Sequence, residues 1–201
     1  MTAARTFYRR GLLVALMLAG LLGVAACLPV PLGDPAKSKA DSRYFGVWEW
    51  RDARVYRAII RPWDERTFAI DVLTGEIGDD PTTTKPKARD VYKGWLTEVK
   101  GQTFLTMQPI ETLGMVNGDP RQSYYIVTKV KLDGAAMTAT PVSNEYEKIK
   151  DVKSAAALEK VIADNIDDPK LFTPNPTVLT KWTVEQMKGL EKLEETFQGW
   201  K

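Results

Sequence analysis

The chain has 201 residues, with 28 lysines and arginines, 26 aspartates and glutamates, no histidine and one cysteine, Cys27. This composition excludes Ser-His-Asp and Cys-His catalysis, histidine-ligated haem, zinc sites built from imidazole or thiolate, and any disulfide within the chain. The near-neutral charge without a basic block argues against nucleic acid as a partner, and we expect no cofactor or metal.

Residues 1–26 have the organisation of a secretory signal peptide. Arg5, Arg9 and Arg10 precede an apolar run over residues 11–26, and small residues end that run. The run is shorter than the ~20 residues that a membrane-spanning helix requires, and prolines follow it. An uncleaved membrane anchor is the alternative interpretation.

The end of this leader, Val24-Ala25-Ala26-Cys27, resembles the lipobox of bacterial lipoproteins. The resemblance implies cleavage after Ala26 and a diacylglyceryl group on Cys27, which would anchor the chain to the cell envelope membrane. Cleavage would leave 175 residues with 25 basic and 26 acidic side chains. Leu28, in place of an aspartate, resembles the pattern of lipoproteins sent to the outer membrane, where the domain would face the periplasm.

Residues 27–43 are predicted to be the acylated cysteine and a flexible tether. They contain LPVPLGDPAKSKADSR after the cysteine, which is rich in proline and small polar residues and has no apolar periodicity.

Residues 44–142 are predicted to form an antiparallel up-and-down β-barrel or half-barrel, so the fold class is mainly β with C-terminal helices. The predicted strands are 44–51, 54–61, 65–73, 89–99, 102–109, 122–132 and 135–142. Lys100-Gly101 and Asp133-Gly134 are expected hairpin turns. The first turn pairs Leu96 with Leu105, and the second pairs Val130 with Met137. Trp95 is expected to face outward and to receive a helix.

Residues 143–201 are predicted to be a helical extension packed on the barrel. Ser154 can cap a helix that extends to about Asn165, and Leu158 and Ile162 belong to its apolar stripe. Thr183 and Gln186 form a predicted capping box for a second helix.

Gly46-Val47-Trp48 resembles the G-x-W signature of lipocalins and related calycin barrels. The resemblance implies that Trp48 plugs the closed end of the barrel and that a helix follows the last strand. It also implies either a cup for small apolar ligands or a filled barrel.

The two long connections, residues 74–88 and 110–121, are expected at the same end of the barrel because the strands alternate in direction. Leu113, Met115 and Val116 would form an apolar lip there. Tyr92 and Tyr124 are further candidates for ligand contact. The tether is expected to leave from the opposite end, which would direct the mouth away from the membrane.

The leading functional hypothesis is a non-enzymatic, membrane-anchored lipoprotein that binds a small apolar or amphiphilic ligand or another envelope component. A carboxylate-dependent hydrolase and a purely structural module are the alternatives. The acid pairs Asp79-Asp80, Asp167-Asp168 and Glu194-Glu195 are more typical of turns and solvated faces than of a glycosidase. A calcium site at Glu76, Asp79 and Asp80 lacks EF-hand spacing.

Overall fold

The computed structural model describes residues 27–78, 86–113 and 124–188, which form a closed antiparallel barrel with helices on its wall. The strands are β1 Cys27–Leu28, β2 Gly46–Arg51, β3 Val55–Pro62, β4 Phe68–Gly75, β5 Ala88–Val99, β6 Gln102–Leu113, β7 Tyr125–Asp133, β8 Ala136–Pro141 and β9 Thr177–Lys181. The α-helices are α1 Ala155–Asp164 and α2 Val184–Met187. Four 3₁₀ helices lie at Pro35–Lys37, Ser42–Tyr44, Glu147–Ile149 and Pro169–Leu171.

The barrel has eight strands, β2 to β9, and each strand pairs antiparallel with the next. Strand β9 also pairs with β2 and thereby closes the sheet. The predicted mainly-β class and the barrel are therefore confirmed, and the closed eight-stranded form is consistent with the calycin resemblance. Closure leaves no long unpaired edge in the barrel.

The closing strand β9 is the main element that the sequence prediction lacked. It has only five residues, and of these only Leu179 is buried in the barrel core. Val178 faces outward and is 59% exposed. So short an alternation, directly after Pro174 and Pro176, gives no periodic signal to distinguish a strand from an extended loop.

The β5–β6 hairpin has the predicted register. Leu96 faces Leu105, and Trp95 faces Thr106 on the other side of the sheet. Lys100 and Gly101 both have positive φ angles, 48° and 74°, which is the requirement of a type I′ turn. The dipeptide therefore sets the pairing of the two longest strands.

The predicted register of the β7–β8 hairpin was wrong by two residues. Asp133 pairs with Ala136 across a Gly134-Ala135 turn, so Val130 faces Ala139 instead of Met137. An even shift keeps every side chain on its original face of the sheet. Val130 and Met137 both remain in the barrel core.

Aromatic side chains fill one end of the barrel. Trp48 is completely buried, and its indole N–H donates to the Tyr44 carbonyl at 2.8 Å. Phe68 makes edge contacts with Tyr44 and Phe45, with centroids 6.2 and 5.9 Å apart. The Lys181 ammonium lies 5.2 Å from the centre of the Trp48 ring. Such a cation over an aromatic face is favourable, so the last strand also secures this plug.

The N-terminal segment, residues 27–45, is packed along the outer wall of the barrel. Leu28 and Leu32 are completely buried there. The Leu32 carbonyl accepts hydrogen bonds from the Trp95 indole at 2.9 Å and from the Thr106 hydroxyl at 3.0 Å. A flexible tether is therefore the wrong description of residues 28–43, because their apolar side chains and carbonyls find partners on the sheet.

Gly33 makes this close packing possible. Its φ of 71° is strained for other residues, and a Cβ atom there would lie 2.1 Å from the Thr97 hydroxyl oxygen. Any side chain at this position would push the segment off the wall.

Helix α1 forms at the predicted residues, but a further barrel strand, β9, follows it in the chain. The Ser154 hydroxyl accepts from the Ala157 amide, and Leu158 and Ile162 are completely buried. They join Leu28 and Leu32 in a second hydrophobic cluster outside the barrel, the outer core. This helix precedes the last barrel strand, and helix α2 follows that strand, as the calycin resemblance implied. Trp95 is covered by the Leu32 backbone and not by a helix as predicted.

Helix α2 begins with the predicted capping box. The Thr183 hydroxyl accepts from the Gln186 amide, and the Gln186 side chain accepts from the Thr183 amide. The rest of the predicted helix, residues 189–201, lies outside the described residues.

Removing residues 27–37 is expected to destabilise the domain. A chain that starts at Ser38 loses Leu28 and Leu32, and truncating each buried leucine to alanine alone costs about 2–5 kcal/mol. We expect a loss of at least about 4 kcal/mol in the free energy of unfolding, measured by urea denaturation against residues 27–201 carrying Cys27→Ser.

Two point variants of the longer chain serve as matched controls for this comparison. Leu32→Ala is expected to destabilise it, and Lys37→Ala, at an exposed position, is expected to leave it unchanged. Equal stability of the two chain lengths would support a free tether instead.

Candidate functional site

The two ends of the barrel differ in their connections. The closed end carries the short turns at 63–67, 100–101 and 134–135. The mouth carries the connections at 52–54, 76–87 and 114–124, because β4 and β5, and likewise β6 and β7, are direct antiparallel neighbours. The expectation that both long connections share one end is therefore correct.

Inner-wall side chains around Trp48 are buried, whereas many near the mouth are partly accessible, as are Leu96 and Leu132 near the closed end. Inward-facing Trp48, Phe68 and Ile70 are at most 1% exposed. Intermediate exposure is shared by a second group of inner-wall side chains, most of them large and apolar: Trp50, Tyr56, Val72, Tyr92, Met107, Ile126 and Ala139. The inner wall near the mouth thus carries apolar and aromatic side chains, the chemistry typical of small-molecule sites, and we call this part of the wall the cup.

An aromatic stack forms one side of this cup. Trp50 on β2 and Tyr56 on β3 face each other across the first hairpin, with ring centroids 4.9 Å apart and planes 10° from parallel. Stacking holds both rings in fixed orientations and presents flat aromatic surface to anything that enters.

Asp90 places a carboxylate on the same wall. It lies opposite Val72, which packs against the barrel core, so its side chain shares the inner face. Burial raises the pKa of this carboxyl, because removal from water disfavours the charged form. Within the residues that the structure describes, no hydrogen bond or ion pair satisfies it. Asp90 is therefore a polar group available to a ligand.

Two tyrosines and Cys27 surround the same region. Burial raises the pKa of Tyr92, and the charges of Asp90, Tyr124 and Cys27 raise it further. The pKa of Tyr124 is raised by burial and then by Cys27 and Asp90. Both phenols therefore stay protonated and can donate hydrogen bonds. The structure brings together the two predicted tyrosines with two residues that sequence reasoning had not associated with them.

The position of Cys27 reverses the predicted orientation of the domain. Strand β1 pairs with the start of β7, where Cys27 faces Ile126 and Leu28 faces Tyr125. Since β7 begins at the mouth, Cys27 lies at the mouth, and the N-terminal segment leads from there to the closed end. The prediction that the chain leaves towards its anchor from the closed end is wrong.

The side chain of Cys27 belongs to the inner side of the wall. Leu28 is completely buried in the outer core, and successive side chains of a strand point to opposite faces. Burial raises the pKa of the Cys27 thiol, which therefore remains protonated at neutral pH and is a weak nucleophile. This environment does not favour a catalytic role for the folded thiol.

The predicted apolar lip is only partly described. Leu113 ends β6 and pairs with Arg89 at the mouth, whereas Met115 and Val116 lie outside the described residues. Two other apolar side chains are strongly exposed at this end, Ile77 at 60% and Ile110 at 51%. The described rim therefore exposes apolar side chains that the prediction did not select, together with charged ones such as Arg51, Asp52 and Arg54.

Several other charged groups have structural partners on the outer wall. Asp71, whose side chain is 5% exposed, accepts from the Arg61 guanidinium at 2.6 Å and from the Arg89 Nε at 2.8 Å. Glu49 pairs with Arg57 at 2.9 Å, and Trp182 covers that guanidinium at 5.5 Å. These ion pairs join neighbouring strands on the outer wall, whereas Asp90 lies on the inner wall.

The acidic pairs of the sequence do not form a catalytic cleft among the described residues. Asp168 caps the 3₁₀ helix Pro169–Leu171 and accepts from the Tyr146 hydroxyl at 3.0 Å. Glu76 pairs with Lys87, while Asp79, Asp80, Glu194 and Glu195 lie outside the described part. No cluster of three metal-ligating side chains occurs in the described residues, and none of their helices has the length and hydropathy needed to cross a membrane.

Comparison with known proteins does not identify a family for this chain. Neither a protein-family model, nor a curated protein, nor a solved structure matches the chain.

Replacing Asp90 by asparagine is expected to change how stability depends on pH. A raised pKa means that folding favours the protonated carboxyl, so the folded wild type loses stability as pH rises from about 3.9, the ordinary aspartate value, through the raised folded value. Asp90→Asn removes this loss, so its free energy of unfolding relative to the wild type should increase over that range and then stay constant. Urea denaturation from pH 3.5 to 7.5 measures the difference.

Asp151→Asn, at an exposed position outside the barrel, is the matched control for this pH series. If the difference in the free energy of unfolding between wild type and Asp90→Asn does not vary with pH, the Asp90 carboxyl is fully solvated.

Proposed function

We propose that this chain is a bacterial envelope lipoprotein, anchored through Cys27, whose barrel binds a small amphiphilic molecule in the cup at its mouth. The observation that carries the proposal is the set of half-exposed apolar and aromatic side chains on the inner wall near the mouth, among them Trp50, Val72 and Tyr92. A barrel with only a structural core would have no need of half-exposed aromatic residues on its inner face.

The polar groups of the cup favour an amphiphile over a pure hydrocarbon. An alkyl chain would lie against Val72, Met107 and the aromatic stack of Trp50 and Tyr56. A hydroxyl or amine at its end would donate to the Asp90 carboxylate and accept from, or donate to, Tyr92 or Tyr124. A buried polar group without a partner costs about 1–3 kcal/mol, so a ligand that satisfies Asp90 gains affinity from this contact.

The signal peptide and lipobox support the envelope location. A diacylglyceryl group on Cys27, together with acylation of the new amino group, exceeds the two-signal requirement for stable membrane anchoring. Leu28 after the cysteine supports the outer membrane with the barrel in the periplasm. Complete burial of Leu28 adds a packing reason for an apolar residue at this position.

The plug at the closed end supports a calycin-type binding barrel. Trp48 of the Gly46-Val47-Trp48 signature fills that end, and Lys181 of the closing strand covers its ring. A barrel plugged at one end, with half-exposed apolar side chains at the other, is an arrangement suited to holding an apolar ligand away from water.

The proposal predicts an amphiphile on the purified domain and a binding site that a bulky residue would block. Native mass spectrometry of residues 27–201 carrying Cys27→Ser should detect a co-purified species of lipid mass. Ala139→Phe, which adds a ring to the inner wall, should weaken binding of dansyl-labelled undecanol at least about tenfold, that is by about 1.4 kcal/mol. Fluorescence titration measures the dissociation constant.

Thr138→Phe is the matched control, because Thr138 is the neighbouring residue on the outer face of β8. If both variants bind the probe as the wild type does, the cup is not the site. A domain free of any lipid mass and unable to bind the probe would favour a structural module.

Replacing Cys27 by alanine in the full chain is expected to abolish acylation and to leave the precursor uncleaved. Metabolic labelling with an alkyne fatty acid, followed by intact mass measurement of the membrane fraction, tests this. Normal labelling of Cys27→Ala would refute the lipoprotein assignment, whereas loss of label with retained ligand binding by the soluble domain would separate anchoring from binding.

A further inference from the structure

We infer that the mouth of the barrel faces the bilayer and rests on its surface, so that the ligand enters the cup directly from the membrane. The inference rests on the proposed acylation of Cys27. It adds the orientation of the domain and the source of the ligand, which a lipid anchor alone does not determine.

No flexible segment separates the proposed anchor, Cys27, from the barrel. Cys27 is itself paired with Ile126 in β1, and its carbonyl accepts from the Asn144 side chain at 3.4 Å. Leu28 follows at once and is completely buried. No free residue separates the acylated position from the folded domain, so the anchored site cannot move far from the rim.

The position of the Cys27 side chain determines the direction in which the acyl chains leave. The Cys27 side chain lies on the inner side of the wall, within electrostatic reach of Tyr92 and Tyr124. A thioether-linked diacylglyceryl group would therefore begin at the entrance of the cup. For its chains to enter a bilayer, the bilayer must lie at the mouth.

The rim of the mouth also exposes apolar side chains. Ile77 and Ile110 are exposed at the mouth without cover, and an apolar side chain in contact with a membrane interface is removed from water. At the closed end, the exposed Trp63 has the Lys93 ammonium 5.8 Å from its ring and is followed by Asp64 and Glu65. Arg66 follows these two acids, so the closed end carries charges of both signs.

With the mouth against the bilayer, the bilayer is the source of the ligand. A mouth held against the headgroups offers an amphiphile a path from the bilayer into the cup that never exposes its alkyl chain to bulk water. Asp90 and the two tyrosines would then meet the polar end of the amphiphile near the level of the headgroups.

Site-directed spin labelling of the full acylated chain tests the orientation. Acylation consumes the thiol of Cys27, so one introduced cysteine is the only free thiol available for labelling. Ile77→Cys and Ile110→Cys report on the mouth, while Trp63→Cys and Val184→Cys are matched exposed apolar positions at the closed end. The proteins are reconstituted in vesicles of phosphatidylcholine and phosphatidylglycerol, and relaxation by oxygen and by a water-soluble nickel chelate is compared.

The expected result is a several-fold higher oxygen-to-nickel ratio at residues 77 and 110 than at residues 63 and 184. Water-like ratios at the mouth positions, or membrane-like ratios at the closed end, would overturn the inference while leaving acylation and ligand binding intact. The mass of the N-terminal peptide is measured on the same samples. A peptide without acyl chains would overturn both the inference and the proposed anchoring.

A second readout follows transfer of the ligand. Ile77→Glu and Ile110→Glu should slow the transfer of dansyl-labelled undecanol from vesicles to the anchored protein several-fold, with little change in its equilibrium affinity. Trp63→Glu and Val184→Glu should leave the rate unchanged. Equal rates in all four variants would contradict entry from the membrane.

Discussion

The hydrogen bonds that the Leu32 carbonyl accepts determine how the N-terminal segment lies between the two ends of the barrel. It accepts hydrogen bonds from Trp95 and Thr106, which face each other on β5 and β6, and Leu32 itself is completely buried. These bonds fix the N-terminal segment along the outer wall. Upstream of this attachment, Leu28 packs in the outer core and Cys27 pairs with Ile126 at the mouth.

Attachment of this segment also relates folding to processing. The Cys27 thiol is half-buried in the folded domain and is held in β1. An acylating enzyme needs the thiol accessible, so under the proposed function the modification precedes docking of the segment. Once Leu28 and Leu32 are buried, the lipid and the entrance of the cup are held at the same place on the molecule.

Sequence reasoning was most successful where local rules determine structure. The Lys100-Gly101 turn, the Ser154 cap and the Thr183-Gln186 capping box all depend on a few neighbouring residues, and all three occur as predicted. The inward set of residues was also largely right, because strand alternation fixes the face even when the β7–β8 register is wrong by two.

The errors occur where distant parts of the chain decide the outcome. Strand β9 exists because two open edges, β2 and β8, are there to receive it, and its own five residues carry little signal. The proline-rich stretch after Cys27 reads as a linker, yet its two leucines match an apolar wall created 60 to 75 residues later. Asp90 was missed for a similar reason, since a carboxylate within a strand becomes unusual only when the barrel closes around it.

The central claim, that the N-terminal segment is part of the fold and holds Cys27 at the mouth, is tested most directly by NMR of the Trp95 indole N–H. The account predicts that this proton exchanges slowly with water and shows nuclear Overhauser effects to the Hα protons of Leu32 and Gly33. Rapid exchange, without any such contact to the N-terminal segment, would contradict it.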